Sequence, residues 1–182
     1  MKRKRITADW LRKIGVREVF ISGLLLAASL GWTGWNKLEE KKVRFPESGV
    51  VRMITDGDTF ELQNGIRVRT LGINAPANDA KSKDGLARLV KDKKIWLEYD
   101  RYQDDKYGRV LAWVWVNCEF TPKFLPADYM RLSFNRSRPG LIENPQGCKK
   151  GKLVQEELVK ARLVKIEVYK DRGELKYPYS TN

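Results

Sequence analysis

Residues Val110–Val116 read Val-Leu-Ala-Trp-Val-Trp-Val, seven apolar side chains in a row. Successive side chains on a strand point to opposite faces, so a strand built from this run must be covered on both. Four other strand-like runs precede it. Gly49–Thr55 ends at an Asp-Gly turn signal, and Thr59–Gln63 leads into Asn64-Gly65, a strong hairpin dipeptide. Ile66–Leu71 alternates Ile66, Val68 and Thr70 against Arg67, Arg69 and Leu71, and Ile95–Tyr99 is the fourth strand in chain order. Ser82–Lys91 places Leu86, Leu89 and Val90 on one helical face with Ser82 as its N-cap, and Val154, Leu158 and Ala161 form a second helical stripe. Val164–Tyr169 is read as extended.

Five strands, with a helix after the third and another after the fifth, predict an α+β, mainly β domain. Its expected form is a closed five-stranded barrel of the OB type with two packed helices. The helices are too well patterned for an all-β sandwich. The expected organisation is a basic segment at 1–18, an apolar helix at 19–36, a linker at 37–48 and the domain at 49–182. Within the domain, an insertion at 119–151 separates the fifth strand from the second helix.

The 182-residue chain contains no histidine. That excludes a Ser-His-Asp triad, a His-ligated zinc and a histidine general base, leaving acid–base work to carboxylates, Lys, Tyr or metal-bound water. The net charge is +13. Residues 1–44 hold 11 Lys and Arg against 4 Asp and Glu, a net +7, and the remaining residues hold 25 against 19, a net +6. The second excess favours a polyanionic partner.

The first excess flanks an uncharged run, Val19–Asn36, which follows Lys2, Arg3, Lys4, Arg5, Arg12, Lys13 and Arg17 and carries Trp32 and Trp35 at its far end. This order predicts a transmembrane signal anchor, N-terminus in the cytoplasm and domain exported. The alternative is a signal peptide cleaved near Ala27-Ala28-Ser29, which would leave the domain secreted.

Three motifs sit at strand ends: Asp56-Gly57-Asp58-Thr59, then Arg69 through Asn74-Ala75-Pro76-Ala77, then Asp105-Lys106-Tyr107-Gly108-Arg109. Carboxylates can hold a hard cation, and paired guanidiniums can grip a phosphate. Taken singly, Asp-Gly-Asp is also a common turn, Arg69 reads equally as half of an ion pair, and Arg109 as a solvated charge.

Together the motifs resemble the thermonuclease family, the staphylococcal-nuclease-like domains, over residues 49–118 and again over 152–170. The resemblance implies calcium-assisted hydrolysis of nucleic-acid phosphodiesters, on DNA or RNA, with no small-molecule cofactor. By match, Asp58, Asn74 and the Ala75 carbonyl are calcium ligands supported by Asp56, while Arg69 and Arg109 are the catalytic arginines. Lys106 and Tyr107 flank the substrate phosphate, and Tyr169 stands where a stacking tyrosine is common.

Two positions depart from the family pattern. Asn74 replaces an acid, and Ala77 replaces the glutamate that serves as general base; a methyl group cannot take a proton. Asp79 is the candidate substitute base. Arg162 replaces the family's glycine in the second helix, and only about twelve residues follow Lys170 where the family has a long helix. Two readings follow: a membrane-anchored nuclease with impaired activity, or an inactive relative that binds nucleic acid or an envelope partner.

The insertion mixes Phe124, Tyr129 and Phe134 with Arg131, Arg136 and Arg138. This composition suits bases, anionic headgroups or a self-packed loop. Cys118 and Cys148 bracket it and have no CxxC spacing, which in an exported domain predicts a disulfide; free thiols are the alternative.

Overall fold

The computed structural model describes residues 16–129, 144–167 and 175–177. The chain divides into two units, residues 1–44 and 45–182.

In the first unit, helix α1 runs from Val16 to Arg44. It extends past the expected apolar run and through most of the expected linker, because Lys37–Arg44 consists of Leu, Glu, Lys, Val and Arg, mostly good helix formers. No helix among the described residues is long and apolar enough to cross a membrane. Gly23, Gly31, Gly34, Ser29 and Thr33 dilute the run, and the hydroxyls of Ser29 and Thr33 donate back to carbonyls of their own helix.

The second unit holds strands β1 (Ser48–Asp56), β2 (Thr59–Leu62), β3 (Arg67–Thr70) and β4 (Ile73–Asn74), then helix α2 (Ala80–Val90). After these come β5 (Lys94–Glu98), β6 (Val110–Val116), β7 (Lys152–Leu153), α3 (Val154–Lys160) and β8 (Lys165–Ile166). The sheet order is β3-β2-β1-β5-β6-β7, and a parallel β3–β6 pairing closes it into a five-stranded barrel. Strand β1 pairs with β5 through Ser48–Val50 and with β2 from Val51 onward, its ladder to β2 broken by two register shifts. Such irregularities bend a strand, which lets one strand serve two neighbours around a small barrel.

Every residue of β6 is buried, as its composition requires. One face, with Ala112, Val114 and Val116, joins Phe60, Val68, Leu86 and Leu158 in the core shared with α2 and α3. The other face, with Leu111, Trp113 and Trp115, packs against Cys148, Leu153, Leu175, Phe124 and Tyr177. The base of the insertion and the C-terminal tail therefore cover the second face. Cys118 and Cys148 are joined in a disulfide. Phe134, Arg131, Arg136 and Arg138 of the insertion lie outside the described residues, as does Tyr169.

The cap of α2 differs from expectation. Asp79, not Ser82, is the N-cap: its carboxylate accepts a hydrogen bond from the Ser82 backbone N–H at 2.9 Å. Ser82 lies one turn inside, fully buried, its hydroxyl donating to the Asp79 carbonyl at 3.0 Å.

Candidate functional site

The Asp-Gly-Asp-Thr turn joins β1 to β2 and lies against α2. A Cβ on Gly57 would collide with the Ser82 hydroxyl oxygen and come within 2.8 Å of the Ala75 Cβ, so the turn can approach the helix only with glycine at this position. This close seat carries Asp58 inward until it is 2% exposed. A buried carboxylate must be paired and hydrogen-bonded. One Asp58 oxygen accepts the Thr59 hydroxyl at 2.8 Å and meets an Arg69 guanidinium nitrogen at 2.7 Å; the other accepts the Ala75 backbone N–H at 2.9 Å.

Arg69 reaches this point because β3 pairs with β2, with Thr59 opposite Arg69. Its second terminal nitrogen donates to the Asn74 side-chain oxygen at 2.9 Å and to Glu167 at 3.3 Å. Asp56 is half-buried and accepts the Gly57 N–H at 2.8 Å. Thus Asp58, Asn74, Ala75 and Arg69 do converge, but through hydrogen bonds to one another.

Arg109 enters from the loop before β6. Asp105 clasps it with contacts of 2.7 Å to Nε and to a terminal nitrogen. Partial burial pushes the Asp105 carboxyl up, but hydrogen bonds from Arg109 and from the Tyr107 N–H outweigh it and hold it below the usual carboxylate range. A further Arg109 nitrogen lies 3.5 Å from the Thr59 hydroxyl, so Thr59 links the two arginines through Asp58.

Two adjoining clefts share Arg69. One, of about 430 Å³, is lined by Arg69, Asp105, Lys106, Tyr107, Arg109, Leu111 and Glu167. The other, of about 330 Å³, is lined by Asp56, Asp58, Arg69, Asn74, Ala75, Pro76, Ala77 and Lys165. The Tyr107 ring is exposed, with Lys106 and Arg109 flanking it at 5.1 Å and 5.2 Å from its centroid.

Asp79 lines neither cleft. The Ser82 N–H bond holds its carboxyl below the ordinary aspartate value against weak desolvation, the reverse of what a base at neutral pH needs. In this structure it is the N-cap of α2.

Two residues outside the motifs stand in the site, Lys165 and Glu167, and Thr59 of the first motif serves as a bridge. Strand β8 pairs with β4 so that Lys165 lies opposite Asn74. Positions 165 and 167 are two apart in an extended run and so share a face, the one signal that could have linked them to the site.

The donor set fits calcium poorly. Calcium takes about six to eight oxygen ligands, usually with several carboxylates. Both Asp58 oxygens and the Asn74 oxygen are already engaged, and among the described residues no three acids, histidines or cysteines come together.

No family model matches the chain. It is 33% identical over 102 residues to a thermonuclease of Staphylococcus intermedius, covering 48% of this chain and 61% of that protein. A thermonuclease of Staphylococcus hyicus is 31% identical over 101 residues, covering 48% and 59%. Protein ParB of Escherichia coli is 34% identical over 82 residues, covering 41% and 45%. The chain therefore spans about three-fifths of the length of the two thermonucleases. With these matches and the closed five-stranded barrel, the chain carries a staphylococcal-nuclease-like domain.

Proposed function

We propose that the domain grips nucleic-acid phosphodiesters, of DNA or RNA, through Arg69 and Arg109, and that binding is its principal work. The observation that carries this reading is the cleft in which Arg69, Arg109, Lys106 and Tyr107 line one cavity. Guanidiniums bind phosphate oxygens in a bidentate fork, and Asp105 and Asp58 hold these two in place. The exposed Tyr107 ring, with Lys106 and Arg109 close by, offers a surface on which a base can stack.

A second reading is impaired hydrolysis, favoured by the retention of both arginines beside Asp58. In the family, calcium stabilises charge on the phosphate. The Asp58 and Asn74 oxygens that would hold such a metal in this chain already accept hydrogen bonds from Arg69, Thr59 and Ala75. Ala77 lines the cleft at the place of the base and can neither take a proton nor orient water.

The test uses the full chain and a labelled single-stranded DNA. Binding is read by fluorescence anisotropy across a salt series, and cleavage on gels with calcium and with EDTA. Salt-sensitive binding without cleavage supports the first reading, and calcium-dependent cleavage supports the second. Loss of neither activity in Arg69→Ala would overturn both.

Export of the domain is part of the proposal, supported by the basic lead followed by the Leu- and Ala-rich run and by the disulfide, which suits an oxidising compartment. The mass of the exported protein reads whether the N-terminal helix stays as an anchor or is removed.

A further inference from the structure

The cleft around Asp58 contains two carboxylates, Asp56 and Asp58, and two cationic side chains, Arg69 and Lys165. Its charges balance without a metal. A calcium site of this size needs carboxylates in excess, because their summed charge offsets the cost of stripping the ion of water. Asn74 contributes a neutral oxygen, and that oxygen faces the Arg69 guanidinium at 2.9 Å. Lys165 lies opposite Asn74 on the paired strand and is exposed along the cleft.

We propose that this cleft receives a nucleic-acid phosphate without any divalent cation, Arg69 and Lys165 supplying the cationic donors that its oxygens meet. The inference rests on the phosphodiester-binding reading above. Arg69 lines both clefts, so a phosphate against it in one is continuous with the backbone gripped by Arg109 in the other. Lys165 is then a phosphate-binding residue, and the strand it occupies is the wall of the cleft.

The test titrates the full chain with calcium chloride alone by calorimetry, and measures binding of a short single-stranded DNA in EDTA and in calcium. The expected result is no calcium binding below millimolar concentration and oligonucleotide affinities in the two buffers within about two-fold. Lys165→Ala should weaken oligonucleotide binding and lower the slope of log affinity against log salt by about 0.7, the share of one phosphate contact on a single strand. Asn74→Asp combined with Lys165→Ala should raise calcium affinity at least about ten-fold, since it adds one charged ligand and removes one opposing cation. Submillimolar calcium binding by the unaltered chain, or oligonucleotide binding lost in EDTA, overturns the inference alone. An unchanged salt slope in Lys165→Ala overturns the role of that lysine. Absence of oligonucleotide binding in both buffers overturns the phosphodiester reading and this inference with it.

Discussion

Arg69 joins Asp58, Asn74 and Glu167, so its guanidinium is held from three sides before any substrate arrives. Two of these partners orient it, and the third competes with substrate. Glu167 lies on the wall of the phosphate cleft with its side chain about a third exposed. A carboxylate there repels a phosphate at the same guanidinium, though water and salt screen the effect. Glu167→Gln should tighten oligonucleotide binding by about two- to five-fold at low salt, an effect shrinking as salt rises. Asp105 acts in the opposite sense, by positioning Arg109. Its carboxyl is depressed in the fold, so the stabilisation it gives is present above the unfolded value of 3.8 and is lost as pH falls through the lower folded value. Binding that depends on the Asp105–Arg109 clasp should therefore persist through pH 3.8 and fail only as pH falls through the lower folded value, while Asp105→Asn should weaken it across the range. Anisotropy against pH reads both. The acid pair, the two arginines and the Lys106-Tyr107 step were legible from local motifs. Glu167 and Lys165 were not, because what brings them to the site is the pairing of β8 with β4, a contact between positions some ninety residues apart.

Helix ends repeat this lesson at the next scale. Asp79 and Ser82 both have good N-cap chemistry, and the helical spacing pointed to Ser82. The tight approach of Gly57 to Ser82 decides otherwise, by burying Ser82 inside the first turn and leaving Asp79 to cap it. Asp79→Ala should lower the melting temperature by a few degrees and leave oligonucleotide affinity unchanged, which separates a cap from a group in the site. The end of α3 is equally specific. The Leu163 N–H bonds the Leu158 carbonyl at 3.1 Å and the Arg162 N–H bonds the Val159 carbonyl at 2.9 Å, the paired bonds of a Schellman motif. The position between wants a left-handed residue, usually glycine, and Arg162 takes φ of 55°. Seating Leu163 there has a purpose: its side chain reaches α2 so closely that a Cβ on Gly85 would collide with it. Arg162→Gly keeps these contacts and removes the left-handed strain, so it should stabilise the domain by about 1 kcal/mol in a denaturant titration. The departure from the family glycine is thus a cost in stability with the turn itself preserved.

The barrel as a whole was readable because β6 could be satisfied only by cover on both faces, and the strand–hairpin–strand–helix order left few closures. What supplies the second cover was not readable, since it comes from two segments far apart in sequence. The insertion base brings Phe124 and the disulfide, and the tail brings Leu175, Lys176 and Tyr177. Lys176 is completely buried, 3.2 Å from Glu98 and bonded to the carbonyls of Tyr99 and of Leu125 in the insertion. Around it, Asp100 accepts the Lys176 N–H and the Trp113 indole N–H, and Glu98 accepts the Trp115 indole N–H and the Tyr177 hydroxyl. The tail is therefore a polar latch that ties the insertion to the barrel over the two tryptophans. Removing one member of a buried ion pair leaves the other charge without compensation, at a cost of about 3–5 kcal/mol. Lys176→Met should destabilise the domain by that order. Glu98→Gln together with Lys176→Met should recover a large part of the loss, because the amide keeps a partner for Trp115 and no charge is stranded. Denaturant titrations of the two single variants and the double variant form a cycle that reads the coupling. Additive losses would show that the pair contributes nothing as a pair and that the tail is held by its other contacts, the Lys176 N–H on Asp100 and Tyr177 against Trp113 and Trp115.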